Sequence, residues 1–403
     1  MALPAITNDL LAEIFLRLPT PGDLVRASAV CVSFRRLVTV RSFLRRFLSL
    51  HAPPFLGFLD GDGDVFHLAL PPHPSAPAAR AVSLSADFSF SFLPTHDRWI
   101  VLDVRDGRFL LDRAPEEYGR EESLDFTELA VCDPLQRRCL LLPPVPDDLA
   151  ASVEHPLHVE FGCWCEPFLV PSGEDDEEEE GELEETSFRV IRMAHCKTKL
   201  VAFIFSSSTG QWRTFASHCW SDLLGETGVS TDVIFGRQYA CSCFYWVVGS
   251  TEKLLVLDTR KMEFSIADVP PGCHRRHIAI VDAGEGRPGM FSLRENVADD
   301  TVCLHYIVRR NQDESSSQWQ MEKTVPLDSA YRYYIRGATE RYLLLLRCPR
   351  HLNVRSLLDV RHFEWFSLDV KTLQLDKVCV LNHGILHTHI YTNFPPSLLP
   401  PTI

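Results

Sequence analysis

The sequence predicts a multidomain chain: a small all-α helical module followed by an all-β, propeller-type domain of about six or seven blades. Three observations predict it. The first ~48 residues place apolar side chains at helical spacing. Beyond residue 55 that period gives way to short apolar runs separated by turn residues. From residue 99 onward, one such run, ending in Asp or Ser, recurs along the chain. At 403 residues the chain exceeds one ordinary domain, and its 45% hydrophobic and 23% charged residues are a globular balance. The expected boundaries are 1–48 for the helical module and 55–395 for the β domain.

The helical elements come first. Thr7 can cap a helix whose stripe is Leu10, Leu11, Ile14, Phe15 and Leu18. Pro19, Pro21 and Gly22 stop it. Asp23 is placed to cap a second helix carrying Leu24, Ala27, Val30 and Cys31, and Ser33 a third through Phe34, Leu37 and Val38. Arg41, Arg45 and Arg46 interleave with Phe43, Leu44, Phe47 and Leu48, the pattern of a fourth helix with a solvated basic side. Pro53 and Pro54 end the helical region.

The β domain is read from its repeats. Residues 60–64 and 71–77 are expected as loops from their Gly, Asp and Pro content. The recurring unit occupies residues 99–103, 129–133, 202–206, 254–258 and 365–369, each followed by a turn and a second apolar run. An Asp at the first turn position accepts a backbone N–H two residues on and starts the reversal. The marker residues are 30, 73, 52 and 111 apart. The first gap is about half a four-stranded unit and the last has room for two, as blades of ~40–50 residues require. The seven tryptophans are expected mainly on strands, filling space between blades.

Charge and cysteines bound the function. The net charge is −14, but residues 174–185 alone hold ten acids and no base, leaving −4 for the rest. Segment 173–186 is therefore expected as a disordered acidic insertion within one blade. No basic face invites nucleic acid, and no apolar run reaches the ~20 residues of a membrane span. Residues 1–9 show no secretory pattern. Thirteen cysteines without framework spacing suit reduced thiols, hence the cytoplasm and/or nucleus.

Motifs for bond chemistry are absent: no phosphate loop, no G-x-S-x-G, no H-E-x-x-H. Residues 60–64 begin like a calcium loop, but Val65 and Pro71 stand where that loop needs Gly and Glu. Cys163/Cys165 and Cys241/Cys243 share strand faces, as His387 and His389 would. Without further ligands these read as packing groups, so no metal is expected. Asp103, Asp133, Asp258 and Asp369 would suggest a propeller enzyme only if they converged in one cleft; their turn positions explain them without catalysis.

Residues 3–38, LPAITNDLLAEIFLRLPTPGDLVRASAVCVSFRRLV, closely resemble an F-box. The resemblance lies in Leu3-Pro4, Asp9-Leu10-Leu11, Ile14, Arg17-Leu18-Pro19, Asp23-Leu24, Val30-Cys31, Phe34-Arg35 and Leu37, with Phe34 where the family usually has Trp. The remainder is similar to the β-propeller-type associated domain of the large plant F-box family, its grass members above all. Val131-Cys132-Asp133-Pro134, Arg137-Arg138 and Leu142-Pro143-Pro144 carry that looser likeness. The resemblance implies a substrate-recognition subunit of an SCF-type ubiquitin ligase, docked on a Skp-type adaptor and through it on a cullin–RING ligase. It implies a protein substrate held by the propeller, no cofactor and no catalytic residue. The implied adaptor contacts are Leu3, Pro4, Leu10, Leu11, Ile14, Leu18, Pro19, Leu24, Val30, Cys31 and Phe34. The substrate-binding residues stay unassigned. A non-degradative scaffold docking on the same adaptor is the alternative.

Overall fold

The computed structural model describes residues 7–61, 65–94, 98–113, 126–156, 165–171, 187–225, 234–249, 252–270, 273, 278–296, 299–312, 316–350, 362–385 and 387–393. Leu3, Pro4, Cys163, Trp164 and the acidic insertion at 173–186 lie outside them.

Four helices lead the chain. The Thr7 side chain caps α1 (Asn8–Leu16), accepting from the Leu10 N–H at 3.3 Å. The cap of α2 (Pro21–Ser28) is Thr20, not Asp23. Pro21 opens that helix, where its missing N–H costs nothing, and Asp23 falls in the first turn, accepting from the Thr20 hydroxyl at 2.6 Å and pairing with Arg26. The third helix, α3 (Val32–Val38), starts after Cys31 without a side-chain cap, so Ser33 is not its cap. α4 (Arg41–Leu50) is the basic helix, and its Arg46 reaches Glu13 of α1 at 2.7 Å. Phe15, Leu16, Leu24, Val38, Phe43 and Phe47 form a buried cluster that draws no residue from the β domain.

The β domain is a six-bladed β-propeller, the lower of the two expected blade counts. The first blade holds β1 (Phe55–Asp60) and β2 (Phe66–Leu68). A helix, α5 (Ala76–Ser85), follows and packs on both, burying Ala76, Ala79 and Val82. The sequence reading placed a loop across its start; Pro77 suits a first helical turn, so proline there did not exclude a helix. The second blade is β3 (Trp99–Arg105), β4 (Arg108–Arg113), β5 (Leu129–Asp133) and β6 (Arg138–Leu141). After the short α6 (Asp147–Ala150) comes the third, β7 (Cys165–Val170), β8 (Arg189–His195), β9 (Lys199–Ser206) and β10 (Gln211–Cys219). The fourth follows α7 (Trp220–Leu224): β11 (Ile234–Ala240), β12 (Cys243–Val248), β13 (Lys253–Asp258) and β14 (Glu263–Asp268). The fifth is β15 (Ile278–Asp282), β16 (Pro288–Asn296), β17 (Thr301–Gln312) and β18 (Ser316–Leu327). The sixth is β19 (Tyr331–Ala338), β20 (Tyr342–Pro349), β21 (Phe363–Asp369) and β22 (Leu375–Leu381). The last strand, β23 (Thr388–Thr392), returns to pair antiparallel with β1, giving the order β2-β1-β23.

Every pairing within these blades is antiparallel between chain neighbours, except where β23 closes the ring. The inner strands β23, β3, β7, β11, β15 and β19 surround a central channel. The cores lie between blades. In β13, Leu254 and Val256 face the fifth blade's Ile278 and Met290, while Leu255 and Leu257 face the third blade's Phe168 and Ile191. Both faces of such a strand are buried, so it reads as a continuous apolar run rather than an alternation. Trp99, Trp212, Trp246 and Trp365 are buried on strands as expected, whereas Trp220 is buried on α7.

No helix among the described residues is long and apolar enough to cross a membrane.

Candidate functional site

Two places present chemistry: the outer face of the helical module and the central channel. On the module, Leu10 and Ile14 stand four residues apart on α1 and are 53% and 44% exposed. Val30 and Val32 flank the α2–α3 turn and are 71% and 68% exposed. Cys31 and Pro19 are exposed, while Leu11, Leu18 and Phe34 are half-buried. Phe34 meets Phe15 edge-on at 5.0 Å, so it joins this surface to the core beneath. Leu24 is the exception among the expected contacts. It is fully buried in the module's own core and offers nothing to a partner. Its burial follows from α2: only one side of that short helix faces α3.

The channel has a volume of about 1270 Å³ and a mixed, polar lining. At its centre is Arg237 of β11. A bulge between Phe235 and Gln238, with Gly236 at a φ of +63°, sets the local path of the strand there. The guanidinium reaches Asp103 of β3 at 3.2 Å and Glu166 of β7 at 2.7 Å, and also donates to the Leu102 and Pro167 carbonyls. Its planar fork suits several acceptors at once. One cation thereby links three successive inner strands. Trp246 donates to the second Glu166 oxygen at 2.8 Å, and the Phe168 ring lies under Arg237 at 4.9 Å.

Electrostatics follow this geometry. Burial alone would raise the Asp103 pKa, but Arg237, Arg105 and the Leu169 N–H together hold it below its ordinary value. Burial would lower Arg237, and its two carboxylates outweigh that and raise it. His389, on β23 beside them, is pushed down to about 4 by burial and by Arg237, with Asp103 opposing. At the end of the channel where the inner strands finish, burial and the neighbouring Asp282 raise the Glu340 carboxyl. Burial and Glu340 push the Tyr239 hydroxyl up to about 12, and the Arg105 guanidinium lies over that ring at 4.6 Å.

The four recurrent aspartates do not converge. Asp133, Asp258 and Asp369 end third strands, each accepting two backbone N–H groups at 2.9–3.1 Å in the following turn. Asp103 alone faces the channel, at a bulge of the innermost strand β3, and is not a turn residue. Asp103 and Glu166 are both engaged by Arg237, so neither is presented as a free general base. His387 and His389 both line the channel, but only His389 belongs to the strand; His387 is exposed before it. The Cys241 thiol donates to Asp282 at 3.5 Å, and burial raises its pKa and that of Cys243. Sequence reasoning missed Arg237 and Glu166. Neither lies in a motif, and only the packing of successive blades brings β3, β7 and β11 side by side.

No protein-family model matches the chain, and no curated protein matches it. Solved structures do match. A protein from Lactobacillus plantarum is 7% identical over 72% of this chain and 87% of its own, with a TM-score of 0.28. A Bombyx mori GH32 beta-fructofuranosidase is 11% identical over 70% of this chain and 62% of its own, with a TM-score of 0.32. Oligogalacturonate lyase in complex with manganese is 8% identical over 68% of this chain and 62% of its own, with a TM-score of 0.31. This chain thus spans less than two thirds of the latter two proteins. At these TM-scores no activity is carried over from any of them.

Proposed function

We propose that the chain is a substrate-recognition subunit of an SCF-type ubiquitin ligase: the helical module docks on a Skp-type adaptor and the propeller holds a protein substrate. The observation that carries this reading is the exposed apolar face of Leu10, Ile14, Val30 and Val32 on a module that already has its own closed core. A small helical unit gains nothing by showing such side chains to water, and an interface explains them. Burying each contributes ~1.5–3 kcal/mol, so the four offset the lower part of an association cost of ~4–15 kcal/mol, and the flanking Leu11, Leu18, Pro19, Cys31 and Phe34 are needed toward its upper end. Leu24 supports the face from beneath, and Leu3 and Pro4 extend the expected contact set. No residue of this chain performs bond chemistry in this reading; its contribution is to hold a substrate lysine near a conjugating enzyme recruited elsewhere.

Co-expression with a Skp-type adaptor tests it. A stable complex is expected, and Leu10→Glu with Ile14→Glu should weaken it roughly 100-fold or more, since two buried anchors are lost. No complex, or a complex indifferent to both charges, overturns the reading. Cellular half-lives of propeller-bound proteins separate ligase from scaffold: they lengthen in the double variant only if docking leads to degradation.

A further inference from the structure

Outside the channel and the helical face, a second cluster sits where the propeller ring closes. We propose that Asp60, His67 and His383 bind one divalent transition-metal ion, with Zn²⁺ the best fit, and that the ion clasps the two ends of the ring together. The ligand atoms of these three side chains all lie within 4.8 Å of one another. None of the three lines the central channel, and the proposal is independent of the adaptor reading.

The three residues come from the two ends of the β domain. Asp60 ends β1 and His67 lies in β2, whereas His383 lies between β22 and β23. Asp60 is opposite Thr388 in the closing β1–β23 pair. Beside it the Gly61 N–H donates to the His387 carbonyl at 2.8 Å, and a Cβ on Gly61 would come within 2.8 Å of the His387 side chain. The backbones that carry the ligands are therefore already held close.

Both histidines are set up for ligation. The His67 ring lies against Phe58 at 5.1 Å, and its Nε2 is shielded from solvent without a hydrogen-bond partner. A buried polar nitrogen with no partner carries a penalty that a metal bond would remove. The His383 Nδ1 lies 3.0 Å from the Asn382 side-chain oxygen. Donation to that oxygen leaves Nε2 as the lone-pair nitrogen, the usual way an outer partner fixes a ligating histidine. Two imidazoles and one carboxylate suit Zn²⁺ and its neighbours, and offer too few oxygens for Ca²⁺ or Mg²⁺. Bonds of ~2.0–2.2 Å in a tetrahedron put ligands about 3.3 Å apart. The cluster must tighten to reach that, and His383, exposed on its bend, is the side chain free to move. Water completes the fourth position. The clasp joins chain segments more than 300 residues apart, the geometry in which a cross-link removes most unfolded-state freedom.

The test uses the chelator-treated full chain and Zn²⁺ itself. Calorimetric titration should give one Zn²⁺ per chain, and the thermal midpoint should rise with added Zn²⁺. His383→Ala changes an exposed side chain on a bend; it should weaken binding about 10-fold or more and abolish the thermal shift. His67→Ala should do the same, and His362→Ala, an exposed histidine elsewhere, should change neither. Absence of one-to-one binding, binding unaffected by His383→Ala, or binding without a thermal shift each overturns the proposal.

Discussion

Arg237 shows how much one residue can carry at the residue scale. Its side chain is 11% exposed and Asp103 is 8% exposed, so water cannot replace the contact if the cation is lost. Arg237→Met should destabilise the chain by about 3–5 kcal/mol in urea unfolding, because it takes the nearest cation from two carboxylates and leaves buried Asp103 with only the more distant Arg105, at 3.9 Å, to offset its charge. Adding Asp103→Asn should recover part of that loss, which separates the cost of the orphaned charge from the cost of altered packing. His389 sets a pH dependence. Its folded pKa of about 4 lies below the ordinary 6.5, so the unfolded chain takes up the proton first. Stability from the neutral ring is complete above pH 6.5 and drains as the pH falls toward 4, by at most about 1.4 kcal/mol per pH unit. His73 and His195 are lowered by burial as well and add in the same sense. Asp103 continues the trend below its ordinary 3.8. Thermal midpoints measured from pH 7 to 4 should fall steadily, and His389→Gln should flatten that fall.

At the scale of elements, the third-strand turns are the most regular device in the molecule. Asp133, Asp258 and Asp369 each use one carboxylate oxygen to take the N–H groups two and three residues on. Asp258→Ala should cost about 1 kcal/mol in denaturant unfolding, and Asp258→Asn less, because its amide oxygen still accepts. This motif is legible in the sequence because its physics is local. The marker gap of 30 residues is half a blade, running from the first strand to the third strand of the second blade. The gap of 111 spans two blades, because β17 in the fifth blade ends in Gln312 and carries no marker. Asp103 matched the pattern and does something else, since a bulge on β3 takes it into the channel. Helix starts shifted for a related reason: at α2 a threonine and a proline upstream outcompete Asp23 for the cap.

For the whole molecule, closure is the decisive feature. β1 pairs with β23, so the first blade is complete only when the last strand of the described residues arrives. A chain ended before Thr388 should unfold at lower denaturant than the full chain and expose β1 and β2 to limited proteolysis. An unchanged transition and protease pattern would show that the other five blades hold the ring without it. Radial closure turns the edge strand of each blade, such as β3, β7 and β11, toward the channel, which shelters those edges from the pairing hazard of an open sheet. Gly57 illustrates the tightness of this blade: at a φ of +155°, a Cβ there would meet the His67 carbonyl oxygen at 2.2 Å. Gly57→Ala should therefore lower the thermal midpoint clearly, more than alanine at Gly210, where nothing lies within 4 Å.

Local chemistry was readable from residues alone: the helical stripe of Leu10 and Ile14, the Thr7 cap, the turn aspartates, and runs such as Leu254 to Leu257 that need apolar neighbours on both sides. Each depends on spacing along the chain and on a side chain's own preferences. The blade count, the Arg237 network, the burial of Leu24 and the meeting of Asp60 with His67 and His383 required the folded molecule. They join residues on different elements, and no rule of spacing along the chain records which helices or strands the fold sets side by side. Each such contact exists only once distant segments have folded together, so its energy belongs to the tertiary structure and to no segment within it.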